Sequence, residues 1–194
     1  MKGSSDARCC WSMTLEAVKQ CAPQWVIVEN VRHCPAEQWS DDLRSAGYAH
    51  VTHRQLNCAD YGLPQKRIRS FIVAGQQPYQ WPMQTHCSSE EVLQIAAGLQ
   101  PWRSMVQALD LQRVTCHHPA PTITTAESQG LGSQHVRRWL YRHTGLKRFT
   151  LQQCQTLQGF PDDYVLMGSS NKRYHQLGNA VPPVMASLLV KALT

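Results

Sequence analysis

The 194-residue sequence predicts an α/β fold. Three observations carry that expectation. The run Trp25-Val26-Ile27-Val28 is continuously apolar and switches abruptly to Glu29-Asn30, the pattern of a strand buried within a parallel sheet. A helical stretch and two strand-like runs follow it, giving a β-α-β-β order with an antiparallel edge. Towards the C-terminus, a capping signal and a Pro-Pro pair each open a helix.

The elements follow in chain order. Residues 12–22 read as a short helix with Leu15, Val18 and Ala22 on one face, ended by Pro23. The apolar strand comes next, then a helix over 36–46 that stops at Gly47. Tyr48 to Leu56 and Ile68 to Ala74 read as two strands joined by a loop carrying Tyr61-Gly62-Leu63-Pro64. From about residue 76 the periodicity fades and Pro, Gln, His and Thr become frequent. Within this stretch Ser88 and Glu91 form a capping box ahead of Val92, Ile95, Ala96 and Leu99. A second box, Thr150 with Gln153, opens a helix that stops at Gly159 before Pro161. The last helix begins near Pro182-Pro183 and is expected to bury Val184, Leu188, Leu189 and Ala192. The expected organisation is therefore an α/β segment over 1–75, an irregular insert over 76–148, and C-terminal helices over 149–194 that return to the first segment.

Composition narrows the function. Apolar residues make up 42% and charged residues 16%, which argues against a solvated, disordered chain. No window approaches 18 consecutive apolar residues, so no membrane-spanning helix is expected. The start, MKGSSDARCCWSM, has no apolar run behind its lysine and does not read as a secretory signal. The formal charge is +6, with 13 Arg against 6 Lys. That bias suits bidentate recognition of phosphate or guanine. Residues 113–148 hold six Lys or Arg against one acid, Glu127, so the basic charge gathers in the insert.

Eight cysteines are scattered without a C-x-x-C pair. His86-Cys87 and Cys116-His117-His118 are the nearest approach to a metal cluster. Adjacent residues rarely converge on one zinc, so reduced, mostly buried thiols and no metal site are expected.

Four segments carry the chemistry: Val28-Glu29-Asn30-Val31; Asp60-Tyr61-Gly62-Leu63-Pro64-Gln65-Lys66-Arg67-Ile68-Arg69; Leu157-Gln158-Gly159-Phe160-Pro161-Asp162-Asp163-Tyr164; and Gln176-Leu177-Gly178-Asn179-Ala180-Val181-Pro182-Pro183. In this order, with a basic insert between the second and third, the chain resembles the DNA cytosine-5 methyltransferases. The resemblance implies the C-terminal part of a Rossmann-like sheet that binds S-adenosylmethionine, a target-recognition insert, and C-terminal helices. It also implies methyl transfer from S-adenosylmethionine to carbon 5 of a flipped cytosine in double-stranded DNA, in the cytoplasm of a bacterium or the host of a phage.

The residue types fit that reaction. In this family a Cys thiolate adds to carbon 6, after which carbon 5 takes the methyl group. A carboxyl at the cytosine edge can hydrogen-bond the exocyclic amine and share a proton at ring nitrogen 3, the role implied for Glu29. A Glu directly after an apolar strand sits at its carboxyl end, where open α/β sheets bind ligands. Asn30 would fix the loop by hydrogen bonds. Arg67 and Arg69, two apart on a strand, would share one face and reach the base's carbonyl oxygen and a nearby phosphate, with Gln65 in support. The same pair would also protect an edge strand. Asn179, Ala180 and Val181 match the motif that walls the S-adenosylmethionine pocket, although Asn179 equally suits the N-cap of the last helix. Leu157 to Tyr164 reads as structural, with an aromatic pair in the core. Pro119 to Thr125 resembles the C-terminal edge of the insert, followed by Arg137, Arg138 and Arg142 as DNA contacts.

Two family features are absent from the sequence. The glycine-rich cofactor loop has no counterpart, since Gly130-Leu131-Gly132 lies in the insert with no strand before it. The Pro-Cys nucleophile is also missing: Cys9-Cys10 follows Arg8, and Lys2 to Arg8 resembles the segment just downstream of that loop. The expectation is a methyltransferase portion that is inactive alone, either truncated or needing a complementary N-terminal chain. The alternative is a non-catalytic DNA-binding or regulatory remnant.

Overall fold

A computed structural model describes residues 10–111, 116–126 and 134–193. Lys2 to Arg8, Cys9, Glu127 and Gly130-Leu131-Gly132 lie outside the described residues. The chain packs as two units. One comprises the described residues up to Leu56, Ile68–Pro82 and the residues from Leu189; the other comprises Asn57–Arg67 and Met83–Leu188.

The first unit is a sheet with helices on one face. It runs α1 (Trp11–Cys21), β1 (Trp25–Val31), α2 (Ala36–Ser45), β2 (His50–Asn57) and β3 (Ile68–Gly75), with the sheet ordered β1-β3-β2. Successive side chains alternate across a strand. Val26 and Val28 of β1 therefore share a face with Ile72 and Ala74 of β3, where they pack with Val18, Trp39 and Leu43 of the two helices. Tyr48 closes this core and donates its hydroxyl to the Pro23 carbonyl at 2.9 Å. Among the described residues the apolar run of β1 lies at one end of the three-strand order, and its pairing with β3 is antiparallel rather than parallel, Glu29 opposite Phe71 and Val31 opposite Arg69. The doubly covered strand is β3, buried continuously from Ser70 to Gly75.

The second unit opens with a 3-10 turn, Cys58–Tyr61, capped by the Asn57 side chain, and a two-residue parallel pairing of β4 (His86–Cys87) with β5 (Gln100–Pro101). It continues with α3 (Val92–Ala96), α4 (Met105–Ala108), α5 (Gln134–Thr144), α6 (Leu151–Gln158) and α7 (Ser170–Asn179), then most of α8 (Pro183–Lys191). Met105, Ile123 and Leu140 share one core with Phe149, Leu157 and Leu177. Packing thus cuts across the insert and C-terminal segments read from the sequence, because apolar positions of both bury against each other.

Local signals succeed where they are complete. The Thr150–Gln153 box is formed in both directions, and Gly159 ends α6 in the left-handed region at φ 75°. The Ser88–Glu91 box is half formed. The Glu91 carboxylate accepts from the Ser88 N–H at 2.9 Å, but Ser88 Oγ receives the Glu90 N–H, and α3 ends at Ala96 rather than reaching Leu99. α7 had no clear signal, because only Tyr174 and Leu177 of its polar sequence carry an apolar face. In α8 the buried positions are Met185 and Leu189, one turn apart; Val184 is 37% exposed, contrary to the expected face.

Candidate functional site

In the first unit, Glu29 stands near the carboxyl end of β1. Its Oε1 lies 3.1 Å from Nε of Arg69 on β3. The register explains the pair: Arg69 faces Val31, so it is the diagonal neighbour of Glu29 on the same sheet face. Their side chains are only 21% and 15% exposed, which shields the attraction from water. The following turn is pinned from two sides. The Arg32 carbonyl accepts from Gln55 Nε2 at 2.8 Å and from Ser70 Oγ at 3.1 Å. Asn30 Oδ1 accepts the Val31 N–H at 2.8 Å.

Glu29 borders a cavity of about 250 Å³ with Asn30, Val28, Cys10, Trp11 and Trp39. Trp11 stacks on Trp39 at 4.7 Å, and its indole N–H donates to Asp42 at 2.7 Å, so this aromatic wall is fixed. The two tryptophans escaped the sequence reading because each also fits an ordinary helix core position. Nearby, burial pushes the Cys34 thiol up, partly offset by Ser70, with the Glu29 charge adding to the rise.

Arg67 and Gln65 belong to the second unit and have a different environment. Arg67 precedes β3 instead of lying on it, so the alternation that would align it with Arg69 does not apply. Its guanidinium, 1% exposed, donates to the carbonyls of Ile123 at 2.9 Å, Gly178 at 2.9 Å and Ala180 at 3.0 Å. Gln65 is fully buried beside it. Its amide donates to the Leu157 carbonyl and to Gln158 Oε1 and accepts the Ile123 N–H at 3.0 Å. Gln158 in turn donates to the Leu177 carbonyl. One buried polar network therefore ties the Gln-Lys-Arg segment to Ile123, α6 and the end of α7. Gly178 is part of it: a Cβ there would stand 2.4 Å from the Thr125 nitrogen.

Asn179 is the last residue of α7, and α8 begins at Pro183, so Asn179 is not the N-cap of the last helix. It is exposed, with Nδ2 3.2 Å from His175 Nδ1. Ala180 and Val181 are half-buried. In the segment Leu157 to Tyr164, the rings of Phe160 and Tyr164 do meet at 4.8 Å. Tyr164 is 51% exposed, however, so the pair is not in the core. Gln155 anchors this turn by donating to the Pro161 and Tyr164 carbonyls.

Three of the insert's basic residues stand on α5. Arg138 and Arg142, one turn apart, are exposed, and Arg137 stands on the same helix. Pro119 to Ile123 run beside the Gln-Lys-Arg segment: Lys66 N–H donates to the Ala120 carbonyl, and Ala120 N–H to that of Pro64, both at 2.8 Å. Among the described residues no three His, Cys, Asp or Glu converge as a metal site. No described helix is long and apolar enough to cross a membrane.

The family model of C-5 cytosine-specific DNA methylases matches residues 2–98 and 96–194. The type II methyltransferase M.AplI of Arthrospira platensis is 27% identical over 218 residues, covering 99% of this chain and 63% of that protein. M.NgoMIV of Neisseria gonorrhoeae is 25% identical, covering 98% and 72%. The chain thus spans less than two thirds of M.AplI. Among solved structures, a DNMT2 mutant of Spodoptera frugiperda superposes with a TM-score of 0.60 at 16% identity, covering 94% of this chain and 70% of that one. A prophage-encoded putative DNA modification methyltransferase of Escherichia coli gives 0.59 at 15%, covering 99% and 75%. The fold is that of these methyltransferases.

Proposed function

The chain belongs to the C-5 cytosine-specific DNA methylase family, and on that premise we propose that it forms the base-holding and DNA-gripping part of an enzyme that methylates carbon 5 of a flipped cytosine in double-stranded DNA. The observation that carries this reading is the shielded Glu29–Arg69 pair near the carboxyl end of β1. Glu29 offers an oxygen to the exocyclic amine and a proton position at ring nitrogen 3. Arg69 orients that carboxylate and presents further N–H donors to the base carbonyl or a phosphate. Arg67, its guanidinium directed at three backbone carbonyls, acts as a positioning residue, and Gln65 supports it.

S-adenosylmethionine supplies the methyl group as an electrophile when bound. This chain would offer Asn179, Ala180 and Val181 to it. They fit a partial wall: Arg67 holds the backbone on both sides of Asn179, whose side chain faces outward. We assign the thiolate nucleophile and the glycine-rich cofactor loop to polypeptide beyond these 194 residues, in the same chain or a complementary N-terminal subunit. Among the described residues β1 pairs with β3 alone, which leaves its outer edge able to accept a further strand. Arg137, Arg138 and Arg142 would grip the phosphates of DNA.

The test is methyl transfer to DNA by this chain combined with an N-terminal methylase segment that carries the Pro-Cys loop. Activity is expected only in the mixture, and Glu29→Gln should lower kcat by about 10² or more. Full activity of Glu29→Gln would sink the assignment. Salt-dependent DNA binding with no methyl transfer in any mixture would instead favour a DNA-binding remnant.

A further inference from the structure

The second unit contains an aromatic cavity that the proposed reaction does not use. It has a volume of about 320 Å³ and is lined by Trp102, Trp139, His118 and Lys66 over a floor of Pro119, Ala120 and Pro121. That is the low end of the size range of small-ligand sites, roughly 300–1,000 Å³.

Both indoles are set in place. Trp102 donates its N–H to Asp60 Oδ1 at 2.8 Å, and the same oxygen accepts from Asn57 Nδ2 at 3.3 Å. Trp139 stacks on His143, one helical turn further along α5, at 4.7 Å. His118 approaches Trp139 at 6.4 Å between ring centroids. Rigid aromatic walls bind flat ligands with little loss of side-chain entropy. The rim is cationic. Lys66 Nζ lies 5.6 Å from the Trp102 ring centroid, and the exposed Arg138 and Arg142 stand on the helix that carries Trp139. Lys66 is itself fixed at the backbone, because its N–H donates to the Ala120 carbonyl and its carbonyl accepts from Thr122 Oγ1, both at 2.8 Å.

Flat, apolar walls with a cation at the mouth suit one ligand chemistry, an unstacked nucleobase joined to a phosphate. Stacking on aromatic side chains accepts any base, while the cation neutralises the adjoining backbone charge. We propose that this cavity holds an unpaired nucleotide of the bound DNA, distinct from the cytosine at Glu29, by stacking its base against Trp102 and Trp139 with its phosphate at Lys66. The inference rests on the reading of the chain as a DNA-binding methylase portion, and it adds a second place where the protein takes up a displaced base.

The test compares two duplexes of one sequence at a fixed salt concentration, one fully paired and one with a single unpaired 2-aminopurine. The 194-residue chain should bind the second about tenfold more tightly, the loss expected for one base–aromatic stack, and should quench the 2-aminopurine emission. W139L and W102L should each remove the preference and the quenching, W139F should keep most of both, and K66Q should weaken both duplexes. Persistence of the preference in both leucine variants overturns the proposal. Should W139L lose its helical circular dichroism, the unaltered chain decides, using a duplex whose unpaired residue is abasic. Equal affinity for the abasic and the 2-aminopurine duplexes means that the protein reads the bend and not the base, which also overturns the proposal. Equal affinity for the paired and unpaired duplexes defeats the cavity but leaves the DNA-binding reading standing. Salt-dependent binding to neither defeats both.

Discussion

Arg67 and Arg69 are two residues apart in sequence and do opposite work. Arg69, in the first unit, sits on β3 and reaches one carboxylate on the neighbouring strand. Arg67, in the second, is buried and spends its guanidinium on three main-chain carbonyls. The contrast extends to the units themselves. The first is an apolar sheet face covered by two helices, with polar residues at its rim. The second has an apolar core as well, but its loops are tied by the buried network of Gln65, Arg67 and Gln158. A planar, permanently charged fork suits such a hub, because it can satisfy several fixed acceptors at once. An ion pair at a strand end is better placed to exchange its partner for a ligand.

The sharpest way to break this contrast is to remove each arginine. Arg67→Ala leaves three carbonyls without their donor, each costing about 1–3 kcal/mol where buried, so a loss of at least about 3 kcal/mol is expected in urea unfolding. Arg67→Lys should recover little of it, since a single ammonium lacks the fork. If Arg67→Ala unfolds at the same urea concentration as the unaltered chain, the hub is not what holds the second unit.

Gly178→Ala probes the same network without touching a charge. The added methyl would collide with the backbone of Thr124 and Thr125, at 2.5 Å and 2.4 Å, so a cost of about 1–3 kcal/mol is expected. An unchanged melting temperature would show that the Thr124–Thr125 backbone gives way freely.

Arg69→Ala should be milder, about 1 kcal/mol, because its pair with Glu29 retains some access to water. Its effect on methyl transfer in the complemented enzyme should exceed its effect on stability. A stability loss matching that of Arg67→Ala would erase the distinction between hub and site.

The smallest effect is expected at Asp60. Burial pushes its carboxyl above the ordinary value of 3.8, with the Trp102 hydrogen bond acting the other way. A raised carboxyl means that the folded state binds the proton more tightly than the unfolded chain does. The group therefore lowers stability above its folded pKa, and the penalty disappears as pH falls through that value towards 3.8. Asp60→Asn retains an acceptor for the Trp102 indole, so it should be slightly more stable than the unaltered chain near neutral pH, with the difference closing in acid. A difference that widens in acid would reverse the sign of this argument.

Much of the fold was legible because it is written in short spans. The strands at 25–31, 50–57 and 68–75 and the helices after Cys10, Pro35 and Thr150 all follow from periodicity, caps and stop residues within a few positions. Glu29 was legible for a similar reason, since the change from apolar to polar at Val28-Glu29 is itself local. α7 was missed because its apolar face is only two residues wide.

The sequence by itself determined which segments become strands and helices, where the basic charge gathers, and that a carboxylate stands at the end of an apolar strand. Only the tertiary structure decided that β1 pairs antiparallel with the buried β3, that Arg67 and Arg69 part company, and that Trp102 and Trp139 line one cavity. The physical reason is distance along the chain. The carbonyls that hold Arg67 lie 56, 111 and 113 residues away, and nothing within its own segment records that they will be there.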